Sequence, residues 1–134
     1  MVKRTIFIDE IGSVTFASRK TNNITNGIKA LKGVVEKRLM EPADIKLVIN
    51  DSREVNVWMG KSDELPSSEK LSSVEKILLI IIEGSGCSTE SFNNALQTIH
   101  NRLPSDTFFL YSIINDEYVK TWNYVIFSQA SIKK

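Results

Sequence analysis

Lys76-Ile77-Leu78-Leu79-Ile80-Ile81-Ile82-Glu83-Gly84 sets an unbroken apolar run between charged ends. A run with no polar alternation, rich in β-branched residues and closed by glycine, reads as a strand covered on both faces, and so central in its sheet. Downstream, Gly84-Ser85-Gly86 turns the chain and Ser88 or Thr89 supplies a helix cap. Phe92, Leu96, Ile99 and Leu103 then recur at helical spacing until Pro104. Residues 108–114 and 118–127 follow as strands of a terminal hairpin. A strand, a helical crossover and a return strand favour parallel pairing through a right-handed connection.

Upstream, the same order recurs. Residues 4–9 and 13–17 read as a strand and a hairpin-like extension around Ile11-Gly12. Ile24, Ile28, Leu31, Val35 and Leu39 form an apolar stripe on a helix that Pro42 is expected to end. Residues 45–49 and 55–59 read as a hairpin about Asn50-Asp51-Ser52-Arg53, residue types suited to turns. Ile49-Asn50-Asp51 reappears as Ile114-Asn115-Asp116, and Ala30-Leu31, Arg38-Leu39 and Trp58 reappear nearly in step as Ala95-Leu96, Arg102-Leu103 and Trp122. The pattern predicts an α/β fold, with α+β as the alternative: one two-layer domain over 1–134, with one mixed sheet covered by two helices. Residues 1–60 form a first strand-helix-hairpin repeat with an inserted hairpin after its first strand, 61–75 a connector that holds one short helical turn, and 76–134 a second repeat.

The composition is globular, 42% hydrophobic and 25% charged over 134 residues. The run at 77–82 is too short to cross a bilayer, and no signal-length apolar core follows the N-terminus, so a cytoplasmic, non-membrane protein is expected. Net charge is +1, with 17 basic and 16 acidic side chains, which supplies no global field toward nucleic acid. A local surplus does exist: Arg19, Lys20, Lys29, Lys32, Lys37 and Arg38 face only Glu36 over residues 17–38. It reads first as the solvated face of a helix and second as an anion-binding surface.

Catalytic parts are sparse. Cys87 is the only cysteine and His100 the only histidine, and the helix between them holds them roughly 20 Å apart. His100 therefore reads as a helix-surface residue near the negative end of the dipole. No ligand set for a metal is recognisable and no cofactor is called for. Gly84 and Gly86, between a buried strand and a helix start, could cradle an anion through backbone N–H groups together with Lys29 and Lys32, although the residues of a phosphate loop are missing. Trp58 and Trp122, at equivalent places and with Arg53 near the first, suit either core packing or the floor of a pocket for a small carboxylate. The aromatic last strand, with Trp122, Tyr124 and Ile126 on one face, invites pairing between subunits.

The run 76–84, Ser88-Thr89-Glu90-Ser91, the helix to Leu103 and the strands to Trp122 together resemble the tautomerase superfamily in its fused form, with two βαβ units per chain. Glu41-Pro42-Ala43-Asp44-Ile45-Lys46-Leu47-Val48-Ile49-Asn50-Asp51 and Trp58-Met59-Gly60 are similar to its middle segment. The resemblance implies a homo-oligomer, a trimer or ring, and proton transfer by an N-terminal proline amine. Residue 2 here is Val2, so any tautomerase chemistry would use a primary amine, and no substrate-holding arginine follows Gly84. The expectation is a non-catalytic or catalytically diverged tautomerase-like oligomeric binding protein for a small carboxylated ligand. The alternatives are an isomerase that uses the N-terminal amine, a ring-forming structural subunit of the phage tail-terminator kind, or a binder of anions or nucleic acid.

Overall fold

The computed structural model describes residues 1–50, 53–84, 89–116 and 122–130. Strands β1 (Val2–Ile8) and β2 (Gly12–Ser18) form an antiparallel hairpin with Ile8 opposite Gly12. Gly12 carries φ +115°, a conformation that glycine adopts without penalty. Helix α1 (Thr21–Glu36) buries Ile24, Ile28, Leu31 and Val34. It stops before Pro42: Arg38 turns left-handed at φ 51°, the N–H of Leu39 donates to the Val34 carbonyl at 3.0 Å, and Leu39 is left 44% exposed.

Residues 45–49 do not form the expected strand. Pro42 presets the first turn of a helix, and α2 (Pro42–Lys46) follows, with Ile49 N–H donating to the Ile45 carbonyl at 2.8 Å. Ile45, Val48 and Ile49 stand at helical spacing and all are 0% exposed. Burying that one face outweighs the β preference of the branched side chains. The first hairpin is therefore absent, and Asp51 lies outside the described residues.

Strand β3 (Val55–Lys61), the short helix α3 (Ser68–Leu71), β4 (Val74–Glu83), α4 (Thr89–Arg102), β5 (Phe108–Asn115) and β6 (Asn123–Ala130) complete the chain. The sheet is mixed and six-stranded, in the order β1-β2-β3-β6-β4-β5. β4 is interior, as its apolar run requires, paired on both sides though next to the edge strand β5, with Ile77 through Ile81 at most 1% exposed. β5 and β6 do not pair with each other. β5 runs parallel to β4, while β6 inserts antiparallel between β3 and β4 and joins the two halves. The aromatic last strand is thus interior and not an edge.

Alternate residues of the same strands divide into two cores. Leu78, Ile80, Val125 and Phe127 pack with α1, whereas Ile77, Leu79, Ile81, Tyr124 and Ile126 pack with Phe92, Ala95 and Ile99 of α4. The fold is α/β with one mixed sheet, and its two long helices lie on opposite faces, which makes three layers where two were expected. Gly27 allows α1 to sit close, since a Cβ there would come within 2.8 Å of Val57 Cγ1. Both the β2-α1-β3 and β4-α4-β5 units pair in parallel and step in the same direction along the sheet. With their helices on opposite faces the two crossovers have opposite hands, so one departs from the right-handed rule.

Candidate functional site: a cationic cleft beside Trp58

β2 and β3 pair over only two positions, Phe16 with Val55 and Ala17 with Asn56. Beyond them β2 leaves the sheet for α1 while β3 runs on, and a cleft of about 550 Å³ opens between them. Ser18 holds the departing turn: its hydroxyl accepts from Asn23 Nδ2 at 3.0 Å and from the Lys20 N–H at 3.4 Å. That turn brings Arg19, Lys20 and Asn23 to one wall. On the other side, the Ser67 hydroxyl caps α3 by accepting from the Lys70 N–H at 3.2 Å. Capping there places Lys70 Nζ 4.8 Å from the centroid of the Trp58 ring, a cation–π contact.

Arg19, Lys20 and Lys70 all line the cleft, with Asn56 and Trp58, and no acidic residue lines it among the described residues. Burial, and then the nearby Arg19 guanidinium, push the Lys70 ammonium below its ordinary pKa. Positive charge is held here against repulsion and desolvation, which an entering anion would relieve. The Trp58 indole Nε1 is buried and without a hydrogen-bond partner, an uncommon and costly condition for a donor. The start of α1, whose Lys20 N-cap makes no side-chain capping bond, adds the positive end of a helix dipole.

The expected site residues are dispersed. Trp58 lines the cleft. Arg53 does not line it, donating instead from Nη2 to Gln129 Oε1 at 2.9 Å and pairing with Glu75 at 3.5 Å. Trp122 is 4% exposed and packs 6.5 Å from Tyr124 in the α4-side core, so it lines no cleft described here. Lys29 borders a second cleft of about 700 Å³ with Asn115 and Asp116. Lys32 borders a separate groove with Asp9 and Glu36. Gly84 is buried after β4, while Gly86 and Cys87 lie outside the described residues. Val2 is 36% exposed on edge strand β1, and Met1 is 78% exposed at the rim of the first cleft, so neither is desolvated. His100 packs edge-on against Phe109 at 6.0 Å. Among the described residues no group of three His, Cys, Asp or Glu side chains converges as a metal site, and no helix is long and apolar enough to cross a membrane.

Sequence reasoning missed Lys70, Arg19 and Lys20 as one group. The signals for it were present: a basic pair just before α1, and Ser67 three residues before Lys70 in the connector.

No protein-family profile matches the chain, and no curated protein matches it. Solved structures do. A point mutant of FtsZ from M. jannaschii superposes with a TM-score of 0.59 at 17% identity, covering 81% of this chain and 38% of that one. An FtsZ dimer from the same organism superposes with a TM-score of 0.55 at 18% identity, covering 78% and 36%. This chain therefore has a fold found within FtsZ and spans well under half of that protein's length. The tautomerase resemblance is overturned. It rested on two units each ending in a hairpin, and here residues 45–49 form the end of α2 and the turn after it, and β6 pairs with β3 and β4 in place of β5.

Proposed function

We propose that this chain is a non-catalytic binding protein that takes a small, multiply charged oxyanion, a polycarboxylate or a phosphate ester, in the cleft beside Trp58. The observation that carries this reading is the set of Arg19, Lys20 and Lys70 around one opening with no carboxylate among its described lining residues. Arg19 supplies planar paired donors suited to a carboxylate or phosphate and Lys70 a point charge. A ligand that pairs with Lys70 competes with the cation–π contact, so binding reorients that ammonium. Among the described residues no histidine, cysteine or carboxylate lines the cleft, so the reading preferred is binding over turnover.

Calorimetric titration with pyrophosphate and citrate tests it. Saturable binding that falls at least about tenfold in Lys70→Ala and in Arg19→Ala supports the reading, since a charge-assisted contact contributes about 1.5–3 kcal/mol. Absence of binding at millimolar probe removes it. Retention of oligonucleotide in preference to both probes, with a steep salt dependence, would transfer the same cations to a nucleic-acid role.

A further inference from the structure

The sheet has two edges, and only one is defended. β1 carries Lys3 and Arg4, and Lys3 pairs with Glu54 at 3.0 Å; charges on an edge strand oppose pairing with another chain. β5 reads Phe108-Phe109-Leu110-Tyr111-Ser112-Ile113-Ile114-Asn115, without a charge or a proline. Among the described residues β4 is its only strand partner, so the outward row of backbone donors and acceptors has no ladder. Phe108 and Tyr111 are 39% and 51% exposed. Their positions in the strand put them on opposite faces of the sheet. An apolar, uncharged edge of this length is a template for a further strand.

We infer that β5 is a self-association surface, on which a second copy of this chain pairs its own β5 antiparallel about a two-fold axis perpendicular to the sheet. The occupant is argued from self-complementarity. Such an axis keeps each face of the sheet on its own side, so Phe109, Tyr111 and Ile113 of one copy meet the same residues of the other on the α4 side. Leu110 and Ile114 meet their copies on the α1 side. No like charges are brought together, because β5 has none. The β1 edge is less suited to this, since it carries the charges of Lys3 and Arg4. One strand pair is a small interface beside the usual area of stable complexes, so the dimer is expected to be reversible, with a Kd on the order of 10 µM.

Sedimentation equilibrium of the full chain, from well below to well above about 10 µM, tests this. A concentration-dependent shift toward twice the monomer mass is expected. Tyr111→Lys should weaken association at least tenfold, while Phe7→Lys on the β1 edge leaves it unchanged. Circular dichroism checks that each variant is folded, and Phe108→Lys replaces Tyr111→Lys if the latter is not. A chain that stays monomeric throughout overturns the inference, as does a dimer that persists in the folded β5 variant.

Discussion

Gly60 stands opposite Tyr124 in the β3–β6 ladder, and the ring of Tyr124 lies across it. A Cβ added at Gly60 would come within 2.8 Å of Tyr124 Cε1 and closer still to Cζ and the hydroxyl. The ring has little freedom to yield: Tyr124 is 2% exposed, packs against Trp122, and donates its hydroxyl to the Glu64 carbonyl. Burial, and then the Glu64 carboxylate, push the phenol up to about 12, so it remains a protonated donor at neutral pH. Gly60→Ala therefore overpacks the site at a cost of about 1–3 kcal/mol. It also displaces a hydrogen bond that contributes about 1 kcal/mol. Reduced backbone entropy of the unfolded chain returns about 0.5–1 kcal/mol. The expected net loss is about 1–3.5 kcal/mol, read as a lower midpoint in urea with an unchanged slope. In a Tyr124→Ala background the same substitution should cost almost nothing, because the atoms it strikes are gone. Gly60→Ala within about 0.5 kcal/mol of wild type would refute this reading of the β3–β6 packing.

Arg53→Ala removes the partner of Gln129 Oε1, in a side chain that is 1% exposed and whose Nε2 already lacks a partner. A loss of about 1–3 kcal/mol is expected in denaturant unfolding, most of it from the orphaned amide and little from the half-exposed pair with Glu75. Anion affinity should be flat near neutrality and fall on the alkaline side, beginning below the ordinary lysine value of 10.5, because Lys70 must be charged to bind and its folded pKa is lowered. Titrations in buffers of different ionisation enthalpy should show proton uptake there, and the early part of the alkaline fall should be absent in Lys70→Ala. Without ligand the sign reverses: the folded chain releases the Lys70 proton before the unfolded chain does, so stability rises with pH between the lowered value and 10.5.

How much was legible follows from where each signal resides. The run at 77–82 carries its own message, because only a strand covered on both faces is apolar at every position; it is interior to the sheet, although one place from the edge and not at the centre. The α1 stripe was likewise local, though its end was set by Arg38 and not by Pro42. Residues 45–49 misled because branched side chains favour a strand by propensity while their spacing suits a helix, and packing decides between the two. The insertion of β6 between β3 and β4 had no local signal at all. It depends on which edge each half leaves open, a property of the assembled sheet. For the site, an aromatic with a nearby cation was a sound pattern at Trp58, but the cation came from Lys70, twelve positions on, and not from Arg53. Trp122 matched Trp58 in sequence and not in space, since the chain around it enters a different core.

The central claim, an oxyanion site beside Trp58, has a direct spectroscopic test. The chain holds two tryptophans, and their indole N–H groups should give two separate signals in a nitrogen–proton correlation spectrum. Trp58 lines the cleft with a buried, unpartnered Nε1, while Trp122 is packed in the α4-side core. Addition of pyrophosphate or citrate should move the Trp58 indole signal and the backbone signals of Arg19, Lys20 and Lys70, and leave the Trp122 indole in place. An unchanged Trp58 signal at saturating probe, or shifts gathered instead around Lys29 and Asn115 at the second cleft, would contradict the account.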